Sequence, residues 1–203
     1  MTFRRFALPV TIATWSVVVL AGFMFLLSYK GQAGASGQVQ THWPSSNLIV
    51  LDAENYTLVM LAHPRCPCTA ASLANLERLL QQFPGRIVAH VLFLRPIEVP
   101  AGWEQSDLWH KAAAIPGVHL HTDLAGQEAA RFGAATSGQV LLYRADGRLL
   151  FHGGITPARG HAGDNAALDR LYALMRGQDG GAAAGPVFGC PLQTPCSNCE
   201  GDD

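Results

Sequence analysis

Two cysteines one residue apart, Cys66-Pro67-Cys68, stand between an apolar run, Thr57–Ala62, and a segment patterned as an amphipathic helix, Thr69–Phe83. The thiolate is the nucleophilic form of cysteine. The free N–H groups and dipole of a helix N-terminus lower a thiol pKa from about 8.5 to as little as about 3.5–7.5. Arg65 adds a neighbouring cation, and no acidic residue falls between Glu54 and Glu77 to oppose the charge. Two cysteines so spaced can close into a small, strained ring, and strained bridges are the labile, exchanging ones. Pro67 fixes φ, removes a donor and limits the loop's conformations. Thiol–disulfide exchange at Cys66 and Cys68 is the leading chemistry. A rival uses the same sulfurs as soft ligands: Cys66, Cys68 and His63, with His161 or His152 from later loops, could hold copper(I). A structural disulfide, or two buried thiols, is the inert alternative. His119 and His121 alternate along a short run and read as ordinary surface or hydrogen-bonded histidines.

The chain holds five cysteines, an odd number. The other three, Cys190, Cys196 and Cys199, follow a Gly/Ala-rich stretch. They could relay electrons to the Cys66/Cys68 pair, clip a zinc ion with one more ligand, or staple a disordered tail. All three readings stay open from the residues.

The elements that must position this loop follow from periodicity. Asn47–Leu51 and Thr57–Ala62 are predicted strands, the second apolar enough to be covered on both faces. In Thr69–Phe83, Leu73, Leu76, Leu79, Leu80 and Phe83 share one helical face, and Pro84-Gly85 ends it. Arg86–Leu94 is a further strand, completing a βαβ unit with a right-handed crossover. Ser106–Ile115 reads as a helix with Asp107 near its start, Val118–His121 as a short strand, and Asp123–Phe132 as a helix stopped by Gly133. Gln139–Tyr143 and Arg148–His152 flank Asp146-Gly147, a hairpin signal. A last helix, capped by Asp164 or Asn165, runs to Arg176 with Leu168, Leu171, Tyr172 and Met175 on one side.

Composition sets the compartment. Apolar residues make up 49% of the 203 and charged residues only 14%, with a net charge of −1. These figures exclude wholesale disorder and binding of nucleic acid through bulk positive charge. Phe6–Tyr29 carries no charge and, as a helix, would span about 36 Å, enough for a bilayer core. Arg4 and Arg5 precede it and Lys30 follows, which favours an N-terminus inside and the remainder outside the cytoplasmic membrane. A signal peptide cut near Ala33-Gly34-Ala35 is the alternative. The expected organisation is a membrane anchor over 1–30, a flexible Gly/Ser/Gln-rich linker over 31–46, an α/β domain over 47–176, and a Gly/Ala linker with a cysteine-rich tail over 177–203.

The element order and the paired-cysteine loop before the first long helix resemble the thioredoxin superfamily. So does the stretch from Asp123 through Phe132-Gly133 to Val140-Leu-Leu-Tyr-Arg-Ala-Asp-Gly-Arg-Leu-Leu-Phe-His-Gly-Gly154, which is similar to the second half of membrane-anchored thioredoxin-like proteins. The resemblance covers about residues 47–176 and is nearest to exported proteins of the bacterial RedB type, with their Cys-Pro-Cys centre. It implies a central mixed sheet flanked by helices. It also implies a tethered thiol:disulfide oxidoreductase on the periplasmic side, without a cofactor, whose partners are exported protein thiols or a metallocentre apoprotein. By the same analogy Cys66 is the more exposed, attacking sulfur and Cys68 resolves. Gly153-Gly154-Ile155 flanks Cys66, and the segment 156–164 overhangs it, making Arg159 and His161 supporting residues alongside His63, Arg65 and Pro67. Two departures stand out. The centre is one residue shorter than Cys-x-x-Cys and lacks the preceding Trp. Gly138 takes the place of the superfamily's cis-proline, so a trans bond is expected there. The peroxiredoxin pattern P-x-x-x-[ST]-x-x-C is missing, which ranks a peroxidase below thiol exchange.

Overall fold

A computed structural model describes residues 3–35, 37–45, 48–178, 181 and 183–192. The chain divides into two compact units. The first is helix α1, Phe3–Lys30. Its stretch Leu8–Tyr29 has a mean hydropathy of 2.2, is not buried, and is long and apolar enough to cross a membrane.

The second unit begins at Ala33. Its elements are β1 (Tyr56–Ala62), α2 (Pro67–Gln82), β2 (Ile87–Arg95), α3 (Asp107–Ala113), β3 (Val118–Leu124), α4 (Gln127–Arg131), β4 (Gln139–Tyr143), β5 (Leu149–Gly154), α5 (Ala166–Met175) and β6 (Ala183–Ala184). They build one six-stranded sheet in the order β3-β2-β1-β4-β5-β6. β1, β2 and β3 run parallel, β4 is antiparallel to both β1 and β5, and β6 is parallel to β5. A βαβ unit followed by an antiparallel hairpin and a closing helix, with core order β2-β1-β4-β5, is the thioredoxin-like fold.

The central strand is apolar on both faces because each face has its own core. Leu58, Met60 and Ala62 pack with Leu73, Leu76 and Leu79 of α2 and Leu168 and Leu171 of α5. Val59 and Leu61 point the other way, to Leu92, Ala129, Phe132 and Tyr143. Burial at this level supplies about 1.5–3 kcal/mol per large aliphatic side chain, which fixes β1 and therefore the loop leaving it.

Several elements differ from expectation. Leu48–Leu51 is not a strand among the described residues. Ile49 is buried in the second core while Leu48 and Val50 are exposed, so the alternation records the burial of one side chain without pairing into the sheet. Asp123 ends up in β3, not in the helix, and its carboxylate caps α4 by accepting from Glu128 N at 2.8 Å and Ala129 N at 3.0 Å. The expected linker is laid along the domain over residues 33–35 and 37–45. Trp43 N donates to the Gly147 carbonyl at 2.8 Å, and the Trp43 ring meets Phe132 and Tyr143 edge-on at 5.2 and 5.0 Å. The hairpin at Asp146-Gly147 and the Asn165 cap of α5 match the sequence reading, Asn165 accepting from Ala167 N and Leu168 N at 3.1 Å.

Candidate redox site

β1 delivers the chain to the site, and α2 receives it. After Ala62, His63 N donates to Ser137 Oγ at 2.8 Å, and the His63 carbonyl accepts from Cys66 N at 3.3 Å and Thr69 Oγ1 at 3.0 Å. Thr69 Oγ1 also meets Ser137 Oγ at 2.9 Å. Ser137 therefore ties the end of β1 to the first turn of α2 from across the sheet. The helix starts two residues earlier than its apolar pattern shows: Cys66 is the N-cap, with extended φ −97° and ψ 121°, and Pro67 takes the first helical position. Proline is favoured there because its missing N–H has no partner to lose. Cys66 Sγ thus sits at the helix entrance and Cys68 within its first turn.

Neither sulfur is open to solvent. Cys66 is 0% exposed and Cys68 6%, which corrects the expectation that Cys66 is the more exposed of the two. The cover is the carboxy-terminal segment 183–192, expected as a linker and tail. It leaves β6 and runs back over the site. Gly185 N donates to the His152 carbonyl at 3.1 Å, and the Pro186 carbonyl accepts from Gly154 N at 3.1 Å. The Cys190 carbonyl accepts from Ser137 N at 2.8 Å, and Leu192 N donates to the Ala135 carbonyl at 2.9 Å. Val187, Phe188 and Leu192 are buried. Gly189 is required by contact: a β-carbon there would collide with the Ser137 carbonyl oxygen. Held on both sides in this way, Cys190 Sγ lies 2.9 Å from Cys66 Sγ. Cys196 and Cys199 lie outside the described residues.

The electrostatics divide the pair. The Cys190 thiol, hydrogen-bonded to Cys66, is the main influence lowering the Cys66 pKa to about 5 against the ordinary 9.0. Burial opposes it, while backbone donors at Cys190, Cys68 and Thr69 assist. Burial, and then the charge of Cys66, push the Cys68 thiol up. The cation expected beside the thiolate is placed elsewhere. Arg65 is exposed, its guanidinium 4.9 Å from the Trp103 ring centroid. His63 is buried, its ring edge-on to Trp103 at 5.9 Å, with Nδ1 accepting from Arg65 N at 3.2 Å. Burial lowers its pKa, so it faces the site as neutral imidazole near pH 7. Ser106, at the start of α3, donates to the Pro64 carbonyl at 2.6 Å and holds the outer side of the loop.

Segment 156–164 does come to the pair. The charge of Arg159 and the backbone of Gly160 both favour the ionised form of Cys68. Arg159 Nη1 also donates to the Gly189 carbonyl at 3.0 Å, clasping the covering segment. His161 is exposed, its Nδ1 2.6 Å from the Arg159 carbonyl. Asn75 of α2 anchors the segment, donating to the Ile155 carbonyl at 2.6 Å and accepting from Gly163 N at 3.0 Å. Gly138 has φ +86°, and no cis peptide bond occurs among the described residues, as expected. Sequence reasoning missed Ser137, Thr69, Asn75, Ser106 and Trp103, all polar or aromatic groups whose partners are distant in the chain. Among the described residues no three His, Cys, Asp or Glu side chains are grouped so as to hold a metal ion. His90, His119 and His121 stack on one face of β2 and β3, with His90 Nδ1 3.0 Å from His121 Nε2.

No family model and no curated protein matches the chain. Solved structures do. A hypothetical protein of Sinorhizobium meliloti 1021 superimposes with a TM-score of 0.60 at 19% identity, over 79% of this chain and 98% of that one. An uncharacterized conserved protein of Geobacillus kaustophilus follows at 0.57 and 17%, over 82% and 94%. A secreted Mycobacterium tuberculosis disulfide oxidoreductase gives 0.41 and 15%, over 61% and 82%. At these identities the first two likenesses are of fold alone; the topology above is that of a thioredoxin-like α/β fold.

Proposed function

We propose that this chain is a thiol:disulfide oxidoreductase, tethered by α1 and working outside the cytoplasm on the thiols and disulfides of exported polypeptides. The observation that carries the reading is the pairing at the start of α2: a sulfur at the N-cap that favours the thiolate, two residues from a sulfur that favours the thiol. A nucleophile that is ionised at neutral pH and a partner that keeps its proton are what disulfide exchange needs.

The Cys66 thiolate attacks one sulfur of a partner disulfide. The partner's other sulfur leaves as a thiolate and takes up a proton. Cys68 then loses its proton and attacks Cys66, releasing the partner's second thiol and forming the Cys66–Cys68 disulfide. Two electrons pass from this chain to the partner. Run backwards, the same steps oxidise a partner dithiol. The thiols of a metallocentre apoprotein, kept reduced before metal insertion, fit as one substrate. A cleft beside the loop, bordered by Pro64, Arg65, Cys66, Pro67, Ser106, Asp107, Leu108 and Lys111, gives a polypeptide a surface to rest on. The span Leu8–Tyr29, with Arg4 and Arg5 ahead of it, supports a membrane anchor with the domain on the outer side. That arrangement and the Cys-Pro-Cys centre agree with a RedB-type protein.

Redox titration of the purified full chain in glutathione buffers tests this. A reversible two-electron transition that disappears in both Cys66→Ser and Cys68→Ser is the expected result. Thiols that do not cycle, in a protein that purifies with stoichiometric copper lost on Cys66→Ser, would replace the reading with a metal carrier.

A further inference from the structure

We propose that Cys190 is a third redox residue, which forms a disulfide with Cys66 in competition with Cys68 and so makes the segment 183–192 an internal partner of the site. The inference rests on Cys66 being the exchanging sulfur, as proposed above.

The geometry is that of a bound cysteine peptide supplied by the chain itself. The segment pairs with the loop before β4 through Ser137 N to the Cys190 carbonyl and Leu192 N to the Ala135 carbonyl, and Thr136 and Pro191 form an antiparallel bridge. Those contacts hold Cys190 itself and the two residues after it, and its sulfur is 2.9 Å from Cys66 Sγ. The closure entropy of a loop joining positions so distant in sequence is the usual obstacle to such a bond. Folding has already met it, because Leu192 sits in the second core and Arg159 clasps Gly189. Cys68, by contrast, can reach Cys66 only through a small ring across Pro67, and that ring's strain favours exchange toward an unstrained partner.

The step balances without an outside oxidant once the Cys66–Cys68 disulfide exists. Cys190 gives up its proton, and its thiolate attacks Cys66 Sγ. The Cys66–Cys190 bond forms as the Cys66–Cys68 bond breaks. The electron pair leaves on Cys68 Sγ, which takes up the proton. No electrons are gained or lost overall. The outcome is a site closed covalently by its own strap, with Cys68 returned to a free thiol. A partner thiol must then displace Cys190 before exchange can proceed, so the internal bond selects for partners that can pry into the Ala135–Ser137 edge. Those partners are extended, cysteine-bearing polypeptide segments.

The test uses the full chain carrying Cys196→Ser and Cys199→Ser, with Cys68→Ser or Cys66→Ser added, oxidised by glutathione disulfide. Disulfide-linked tryptic peptides are then mapped by mass spectrometry. The Cys68→Ser protein is expected to convert more than half of its chains to a link between the Cys66 and Cys190 peptides. The Cys66→Ser protein is expected to form at least tenfold less of any Cys68 to Cys190 link. If Cys66 in the Cys68→Ser protein accumulates glutathione and no internal link, this proposal falls and the exchange function stands. If Cys66 forms neither a glutathione adduct nor an internal disulfide in both the Cys68→Ser protein and the three-cysteine parent, both fall. A parent that keeps Cys66–Cys68 as its only disulfide at equilibrium would also overturn the proposal, independently of how the Cys68→Ser variant folds.

Discussion

Replacing Cys190 by alanine removes the S–H that points at Cys66 and leaves the backbone of the covering segment in place. That thiol is the first cause of the low Cys66 pKa, which lies at about 5; the backbone donors of Cys68 and Thr69 at the helix entrance remain. A hydrogen bond to a charged group contributes about 1.5–3 kcal/mol, and about 1.4 kcal/mol corresponds to one pH unit. The Cys190→Ala midpoint should therefore rise by about 1–2 pH units, to about 6–7, and stay below the ordinary 9.0. Cys190→Ser keeps a donor and should hold the midpoint nearer the parent's. The assay is the pH dependence of the iodoacetamide rate at Cys66, resolved by peptide mass spectrometry. The readout is the midpoint, because loosening the cover can also raise the absolute rate. A Cys190→Ala midpoint unchanged at about 5 would refute the reasoning and leave the backbone donors at Cys190, Cys68 and Thr69 as the cause.

Two further outcomes concern stability. Cys66 has a folded pKa below its unfolded value, so its contribution is fully present above the ordinary thiol pKa and is lost as pH falls through about 5. The urea midpoint of the reduced protein should climb between pH 5 and pH 8, and Cys66→Ser should flatten the climb; equal slopes in the two proteins would contradict this. His90 is held neutral, its pKa lowered to about 4 by burial and by the neighbouring His121 and His119, with Asp52 opposing. Its contribution is present above the ordinary 6.5 and is lost as pH falls toward about 4. This costs up to about 3 kcal/mol. Thermal melts of His90→Leu should lose less between pH 6.5 and 4.5 than those of the parent.

The sheet was legible where a strand is apolar on both faces, as in Thr57–Ala62, and where a turn residue carries its own geometry, as at Asp146-Gly147. The run Asn47–Leu51 misled because alternation records which side chains are buried and not whether a strand edge is available to pair. The start of α2 could have been found: Pro67 is a first-position residue, and the leucine pattern simply begins later. The sequence reads 31–46 as a flexible linker from its Gly, Ser and Gln content, and 177–203 as a Gly/Ala linker with a cysteine-rich tail. In the fold that content permits contact. Gly37 lies against Gly133, Gly153 against Gly185, and Gly189 against Ser137, each pair at backbone-to-backbone range. A close approach of this kind needs both members, and a linear sequence displays them far apart. The same limit hid Ser137, whose hydroxyl joins His63 and Thr69 across the sheet. The two cysteines of the loop were legible as chemistry, while Cys190 was legible only as one of three tail cysteines open to a relay, a metal clip or a staple.

The order of the chain gives the strap a temporal meaning. The other elements it touches precede it, so β1–β5, the cysteine loop and α5 can all assemble while residues 183–192 are still to emerge from the ribosome. A newborn molecule thus passes through an interval in which Cys66 stands uncovered, and a later stretch of polypeptide puts the safety catch on.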